Sequence, residues 1–295
     1  MTLGLILSLV SGFLWSITNI LDKTVVTKHL TNIGQLYVLV SIIHIIFGGT
    51  VLFFFQEPIL IEHKLLMITA AIFWLVMGYT YFASAKIEEM SRVVPLFALV
   101  PVFVTIFGAI FLHEIFSFQV YLGIAIIVIG SLLIMFKQSL AALLRSRALG
   151  LMIISALSVA IYNILSKYLL EFYSFWTVYA WFTFFAGFLG LILFHRHIKS
   201  FNQTLKIKGW KGAWLYTLSE TNSQIASVLF TLAVSVWFVS LASSVVTIQY
   251  LFVFLWTIIL SKWKPNFLTE QVNRKIAAQK FIAIFLIISG IFLIA

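Results

Sequence analysis

The chain has 295 residues, of which 62% are hydrophobic and only 9% are charged, against roughly 25% charged residues in a typical soluble domain. So few charged side chains cannot cover a surface in water, whereas the outer surface of a protein in a bilayer must itself be apolar. The absence of cysteine excludes disulfides, thiol catalysis and thiolate metal sites. The net charge is +10, and the basic residues lie in loops between apolar runs. There they orient helices and contact anionic headgroups, so no nucleic-acid partner is expected.

Stretches without Asp, Glu, Lys or Arg mark the predicted transmembrane helices, because a helix needs about 20 apolar residues to cross the hydrocarbon core. In chain order these runs cover residues 1–21, 30–56, 65–85, 93–112, 115–136, 148–166, 172–194, 221–261 and 281–295. The run 221–261 is too long for one helix and predicts two, and the last helix is expected to begin near Ile276. The sequence therefore predicts an all-α integral membrane protein with ten transmembrane helices.

The second half of the chain repeats features of the first half in the same order. Asn19–Lys23 (NILDK) recurs as Asn163–Lys167 (NILSK), and Ser11 matches Ser155 upstream of these segments. Each match is weak by itself, but their common order indicates two copies of one structural unit.

Each copy is predicted to contain five helices, the first over residues 1–137 and the second over residues 148–295. Because five crossings are an odd number, the second copy is inverted relative to the first. This is the inverted-repeat arrangement of many transporters, with a site near the membrane midplane. The alignment places Ala71 opposite Glu220, and it predicts a turn within Ser235–Leu241 between the eighth and ninth helices.

Three segments of the first half, Gly12–Ser16 (GFLWS), Ser91–Glu114 and Gly123–Leu133, resemble the first, fourth and fifth helices of EamA-type proteins. These proteins belong to the drug/metabolite transporter superfamily. The second half is similar but more divergent, since Tyr250 stands where a proline is common. The resemblance implies a ten-helix carrier of two inverted repeats that uses no cofactor. It does not fix a substrate, because the family handles amino acids, nucleobases and other metabolites.

Glu220, within the predicted eighth helix, is the main candidate for chemistry. A carboxyl group inside a membrane helix is costly in lipid, so it should face the protein interior or water. It belongs to a stripe of polar residues at helical spacing, namely Tyr216, Glu220, Gln224, Ser227 and Thr231. We expect this stripe to face a central cavity, with Glu220 coupling transport to protons or binding a cation. The alternative is an interfacial glutamate that bonds neighbouring helices or pairs with Lys211.

Polar and aromatic residues on other helices are candidate cavity residues. Matching stripes on the first and sixth helices contain Trp15, Asn19, Tyr162 and Asn163, which either line the cavity or make helix–helix contacts. Aromatic residues that are expected to contribute to the wall are Trp74, Tyr81, Trp181 and Tyr250.

His44 is a lone histidine in the predicted second helix, where it is either a bonded core residue, which we favour, or a proton relay. Asp22 and Lys23 are expected to form an interfacial pair, with gating as the alternative. Pro95 and Pro101 should interrupt the hydrogen bonding of the fourth helix. The segment 195–197 (HRH) lies in a basic loop without a carboxylate nearby, so no metal site is expected.

Positive charge is distributed unevenly between the two sides of the predicted bundle. The connections after helices one, three, five, seven and nine hold 17 of the 19 Lys and Arg residues (2 + 2 + 3 + 5 + 5). The positive-inside rule then places both termini outside the cytoplasm. The resemblance to the EamA family implies the opposite orientation, with cytoplasmic termini.

No glycine-rich phosphate loop is present, so the expected function is secondary transport by alternating access. We expect export of a small polar metabolite, an amino acid or related compound, across a prokaryotic plasma membrane, with a proton as the candidate coupling ion. The partners are then the small-molecule substrate and the lipid bilayer, and no oligomeric state is predicted. The alternatives are a lipid flippase, a membrane scaffold and, with less support because the six histidines are scattered, a membrane-embedded enzyme.

Overall fold

The computed structural model describes residues 2–28, 32–55, 57–87, 94–135, 147–263 and 274–294. Within these ranges all regular secondary structure is helical, as predicted. The physical reason is that hydrocarbon offers no hydrogen bonds to the backbone, and a helix satisfies its own N–H and C=O groups within one segment.

The first half of the chain contains five α-helices and a 3-10 helix. They are α1 (Thr2–Lys28), α2 (Ile33–Phe54), α3 (Ile61–Ile87), the 3-10 helix (Val94–Leu99), α4 (Val100–Phe111) and α5 (Phe118–Met135). The change from 3-10 to α geometry falls between Pro95 and Pro101, so the predicted interruption of this segment is confirmed. Proline lacks a backbone N–H and cannot continue a regular hydrogen-bond ladder.

The second half contains seven α-helices and a short 3-10 turn. They are α6 (Arg147–Leu169), α7 (Phe175–Phe194), the turn His195–His197, α8 (Ile198–Lys208), α9 (Lys211–Val236), α10 (Val239–Val246), α11 (Gln249–Trp263) and α12 (Arg274–Ile294). The chain leaves the helix at Trp237 and Phe238, which confirms the predicted break within 235–241.

Six described segments are long and apolar enough to cross a membrane, judged by length and composition. They are Thr2–Asp22, Ile33–Phe54, Ile61–Ile87, Arg147–Leu169, Phe175–Ile207 and Val239–Trp256, and shorter apolar helices cover Leu96–Phe111, Phe118–Leu133 and Phe281–Ile294. Helix α9 has 26 residues, about 39 Å at 1.5 Å per residue, but is not among the six. Its polar stripe accounts for its lower apolar content.

The outer surface carries many large apolar side chains. Phe118 is 81% exposed, Phe292 is 79% exposed and Phe53 is 74% exposed. Soluble monomers rarely expose extended apolar surfaces of this kind, whereas lipid tails solvate them. The surface and the apolar helices together support a multi-pass membrane protein.

Four helix pairs make the most extensive contacts: α1 with α9, α2 with α7, α3 with α6, and α5 with α12. Small residues allow the closest of these approaches. A Cβ atom added to Gly187 of α7 would lie 2.7 Å from the carbonyl oxygen of Ser41 in α2. A Cβ atom on Gly290 of α12 would lie 2.7 Å from the carbonyl oxygen of Gly123 in α5.

Substitution of Gly187 by alanine should destabilise the protein, because the added methyl group must push α2 and α7 apart. Overpacking of this kind costs about 1–3 kcal/mol. The matched control is Gly150→Ala in α6, where a Cβ atom meets nothing within 4 Å. Thermal unfolding of the purified protein in detergent should show a lower midpoint for Gly187→Ala and no loss for Gly150→Ala. Equal midpoints for the two variants would contradict the close approach of α2 and α7.

Candidate functional site

A partly open cavity of about 240 Å³ extends into the helical bundle and is lined by helices from both halves of the chain. Its aromatic lining residues are Trp15, Tyr37, Trp74, Tyr81, Phe82, Phe97, Tyr162, Tyr216, Phe230 and Tyr250. Its polar lining residues are Thr18, Asn19, Asp22, Asn163, Glu220, Ser223, Ser227, Thr231, Ser243, Thr247 and Gln249. The wall is therefore rich in aromatic rings and carries two carboxyl groups.

Most of the residues that the sequence singles out meet at this cavity. Trp15 and Asn19 reach it from α1, Tyr162 and Asn163 from α6, and Tyr250 from α11. Asn19 also donates a hydrogen bond through its Nδ2 atom to Oε1 of Gln249, at 3.1 Å. This bond joins α1 of the first half to α11 of the second half at the cavity wall. Trp181 is not on the wall, because its ring lies against Phe185 on the same helix.

Glu220 lies on the cavity wall, and its carboxylate is also bonded on the side away from the cavity. The Oε1 atom lies 2.7 Å from Nε2 of His44 in α2, and it accepts a 2.7 Å hydrogen bond from Nε2 of Gln224 in α9. The Gln224 side chain accepts in turn a 2.8 Å hydrogen bond from the hydroxyl of Tyr179 in α7. Three helices thus meet at one carboxylate, and His44 and Gln224 support it from behind.

The distances around Glu220 allow one proton to be shared between Glu220 and His44. The Nε2 atom of His44 lies 2.7 Å from Glu220 and 2.6 Å from Nε2 of Gln224. If His44 carries the hydrogen on Nε2, it donates to the carboxylate. If Glu220 carries it, the carboxyl group donates to the ring. The 2.7 Å contact between the two side chains is thus a hydrogen bond whichever of the two groups carries the hydrogen.

His44 is deeply buried, with 2% of its surface exposed, and its ring lies 4.5 Å from that of Trp74, measured between centroids. Its Nδ1 atom has no hydrogen-bond partner among the residues that the structure describes. The favoured interpretation of His44 as a bonded core residue agrees with its contacts. Its direct bond to Glu220 leaves the proton-relay interpretation open as a proposal.

The placement of Asp22 corrects the expectation of an interfacial pair with Lys23. Asp22 is 8% exposed, lines the cavity, and accepts a 2.7 Å hydrogen bond from the hydroxyl of Ser219 in α9. The expectation failed because the charge-free run ends at residue 21, whereas α1 continues to Lys28. Asp22 follows Asn19 by three residues and Trp15 by seven, a helical spacing that places the three side chains on one face of α1. The Lys23 side chain lies outside the described part of the structure.

Helices α1 and α9 are joined by a row of further polar contacts next to the cavity. Asn222 donates through Nδ2 to the carbonyl oxygen of Leu14 at 2.7 Å and to the hydroxyl of Thr18 at 2.9 Å. The hydroxyl of Ser11 donates to the carbonyl oxygen of Ala226 at 2.9 Å. These bonds fix the rotation of α9 so that Glu220 faces the interior. The alternative pairing of Glu220 with Lys211 is wrong, since the partner of Glu220 is His44.

Glu114 is a buried carboxylate whose structural role the sequence did not predict. It accepts hydrogen bonds from the backbone N–H of Val239 at 2.9 Å, from that of Ser240 at 3.1 Å and from the Ser240 hydroxyl at 2.5 Å. It therefore caps the N-terminus of α10, where the first N–H groups lack partners within the helix. Lys167 completes this turn, because its Nζ atom donates to the carbonyl oxygens of Val234 and Trp237 at 2.8 and 3.0 Å.

No cluster of three or more His, Asp or Glu side chains that could hold a metal ion occurs among the described residues. His195 lies on the surface, and its Nδ1 atom is 2.7 Å from the carbonyl oxygen of Ile192 in the same segment.

The helical fold, the apolar outer surface and the internal cavity define a multi-pass membrane protein with a buried pocket. Residues 2–136 match the model of the EamA-like transporter family. These residues therefore form an EamA domain, a domain type of the drug/metabolite transporter superfamily. The match confirms the resemblance seen in the first half of the sequence.

The fold also occurs in an experimental structure. A crystal structure of another protein is similar with a TM-score of 0.67 and 15% sequence identity, and the match covers 98% of this chain and 95% of the other. At this identity the similarity establishes the fold alone, since one fold hosts many functions. None of the curated proteins matches the sequence.

Replacement of Glu114 by alanine should destabilise the protein, although Glu114 itself is not on the cavity wall. It leaves two N–H groups and a hydroxyl without their acceptor, and each unsatisfied buried group costs about 1–3 kcal/mol. The control is Glu171→Ala, at an exposed carboxylate that is absent from the cavity wall. Thermal unfolding in detergent should separate the two variants. A Glu114→Ala protein as stable as the control would show that Glu114 does not hold α10.

Proposed function

We propose that the protein is a secondary transporter that moves a small polar metabolite, an amino acid or related compound, out of the cell by alternating access. The observation that carries the proposal is the cavity, whose walls come from both halves of a multi-helix membrane protein. The EamA domain over residues 2–136 supports it, since that family consists of transporters. No nucleotide-binding motif occurs in the sequence, so the energy source is a gradient.

The proposal includes ten crossings arranged as two inverted repeats, residues 1–137 and 148–295. The 3-10 helix with α4 forms the fourth crossing, α10 with α11 forms the ninth, and the amphipathic α8 does not cross. The pairing of helices supports this arrangement. In the two-repeat arrangement, α6, α7, α9 and α12 are the counterparts of α1, α2, α3 and α5. Exchange of the two halves then turns the contact between α1 and α9 into the contact between α6 and α3. The other two main contacts, α2 with α7 and α5 with α12, each join a helix to its own counterpart. A two-fold relation between the halves requires this pattern.

One pair of hydrogen bonds supports the repeat at the level of single atoms. The hydroxyl of Ser11 donates to the carbonyl oxygen of Ala226, and the hydroxyl of Ser155 donates to the carbonyl oxygen of Met77, both at 2.9 Å. The sequence alignment matches Ser11 with Ser155, and the spacing that places Ala71 opposite Glu220 also places Met77 opposite Ala226. The same bond is thus made twice, with the two halves exchanged.

Alternating access requires that contacts on one side of the cavity break while those on the other side form. Candidate contacts join the first turn of α3 and the loop before it to the loop before α7. Nδ1 of His63 lies 2.8 Å from the hydroxyl of Tyr173, and the backbone N–H of Ser174 donates to Glu57 at 3.2 Å. Hydrogen bonds from Thr177 and Ser174 hold the pKa of Glu57 below its ordinary value, so this carboxylate stays charged near neutral pH.

A bulky side chain in the cavity should stop transport without unfolding the protein. Ser227 lies on the cavity wall, whereas Ile225 on the same helix is 49% exposed on the outer surface. We expect Ser227→Trp to abolish counterflow of a metabolite panel in proteoliposomes and Ile225→Trp to leave it intact. The proposed function fails if the wild-type protein moves no compound of a broad panel. The role of the cavity fails if Ser227→Trp transports at the rate of the control.

Substitution of Glu220 by glutamine should keep the fold and weaken transport or remove its dependence on pH. Glutamine can accept the hydrogen bond from Gln224 but cannot carry the exchanged proton. The groups that face Glu220 are His44, Gln224, Asp22, Tyr37, Tyr179 and Tyr216. The measurement is the initial transport rate between pH 5.5 and 8.5, with Glu171→Gln as the control. A wild-type pH profile in Glu220→Gln would exclude coupling through this carboxylate.

A further inference from the structure

We propose that the substrate is a small organic cation, an amine or quaternary ammonium with an apolar or aromatic body, and not a free amino acid. The inference rests on the proposed transport function, and among the substrates named there it replaces the amino acid with a related amine. It follows from three properties of the cavity: the sign of its charge, the nature of its surface and its size.

The first property is charge. Asp22 and Glu220 both line the cavity, and among the described residues its wall contains no Lys, Arg or His. The two carboxyl groups lie close together, because the hydroxyl of Ser219, the neighbour of Glu220, donates to Asp22 at 2.7 Å. A free amino acid brings a carboxylate of its own, which this wall would repel and could not pair with a cationic side chain. An ammonium group has two acceptors of opposite charge.

The hydrogen-bond partners of Glu220 and Asp22 also favour a cationic substrate. His44 supports Glu220 from behind the wall at 2.7 Å. Asp22 has the neutral hydroxyl of Ser219 as its hydrogen-bond donor within the described structure. A buried carboxylate without a cationic partner is costly unless it is protonated or a counter-charge is bound. A substrate cation next to Asp22 supplies that counter-charge, and it also relieves the repulsion between the two carboxylates.

The second property is the aromatic surface. Ten of the lining residues are aromatic, and Trp15 and Trp74 are among them. The faces of such rings attract cations, and the attraction is strongest for tryptophan and in sites with little water. Tyr81 and Tyr250 add hydroxyl groups that are buried and have no hydrogen-bond partner in the described part of the chain. Each can accept a hydrogen bond from a substrate N–H group.

The third property is size. A cavity of about 240 Å³ is smaller than the roughly 300–1,000 Å³ of sites for drug-sized ligands. It suits one charged head with one ring or a short alkyl body. Most of the wall surface is apolar, and its acidic side chains are limited to Asp22 and Glu220, which matches a ligand that is charged at one end.

A matched set of ligands tests the inference on the unaltered protein. Phenethylamine, phenylalanine and 3-phenylpropionate share a phenyl ring but carry a cationic, a zwitterionic and an anionic head. Phenyltrimethylammonium adds a permanent cation that cannot cross the bilayer in a neutral form. Binding to the protein in nanodiscs is measured by calorimetry, and uptake of phenyltrimethylammonium is measured in proteoliposomes. We expect both cations to bind at least ten-fold more tightly than phenylalanine, and 3-phenylpropionate not to bind.

A variant assigns the charge selectivity to its residue. Asp22→Asn should weaken the binding of phenyltrimethylammonium about ten-fold and reduce the preference for cations over phenylalanine. The control Glu171→Gln, at a carboxylate away from the cavity, should bind both ligands like the wild type. Because the ligand series uses the wild-type chain, its result does not depend on how well Asp22→Asn folds.

The outcomes separate this inference from the proposed function. Phenylalanine binding as tightly as phenethylamine, or none of the four ligands binding, overturns the cation inference and leaves the transporter proposal to the metabolite panel. Cation binding without uptake of any compound overturns the transporter proposal and retains an organic-cation site. Cation binding together with uptake that Ser227→Trp abolishes supports both.

Discussion

A carboxyl group in a membrane helix has to be kept from the hydrocarbon, and this constraint on Glu220 organises much of the protein. Three helices meet at this one side chain: α9 carries it, α2 brings His44 within 2.7 Å, and α7 supports Gln224 through the hydroxyl of Tyr179. Such partners are required because an unpaired polar group costs several kcal/mol in an apolar medium, a cost of about 4–8 kcal/mol on transfer from water to cyclohexane. Once α9 is fixed with Glu220 inward, its apolar face turns outward, where Trp214 is 68% exposed.

The same constraint explains how the chain can leave the helix between α9 and α10. Backbone that is not helical is tolerated in the membrane only where protein satisfies its N–H and C=O groups. Here Glu114 accepts from the free N–H groups of α10, and Lys167 donates to the last carbonyl groups around Trp237. Because Glu114 belongs to the first half of the chain and Lys167 to the second, the break also ties the two halves together. A pair of side chains of opposite charge thus replaces the missing helical hydrogen bonds.

The cavity wall indicates which ligands the protein can bind, which neither the family match nor the fold indicates. The EamA match over residues 2–136 suggests a membrane transporter, but proteins of one fold bind different ligands. Ligand choice depends on the wall, which here combines two carboxyl groups with ten aromatic side chains. The carboxyl groups of Asp22 and Glu220 lie on the same cavity wall, and the aromatic rings around them favour a cation over an anion. Proton exchange at Glu220 and cation binding at Asp22 would then share one electrostatic environment.

Several features of the fold could be predicted because they follow from local chemistry. The helical class follows from apolar runs, the irregular start of α4 follows from Pro95 and Pro101, and the break at Trp237 follows from the alignment of the two halves. The placement of Trp15 and Tyr162 on the cavity wall follows from polar and aromatic stripes at helical spacing. The family match covers residues 2–136, within the first half of the chain.

The sequence by itself determined the membrane environment, the helical segments and the face of α9 that carries Glu220, because composition and helical periodicity act within one segment. Only the tertiary structure decided that His44 is the partner of Glu220, that Asp22 lies inside the cavity, and that Glu114 caps α10. Each of these contacts joins helices that are far apart in the chain, and helical periodicity contains no information about which neighbour a face will meet. Asp22 was misplaced for a further reason: a charged residue ends an apolar run, but it does not end a helix whose inward face can bond it to Ser219.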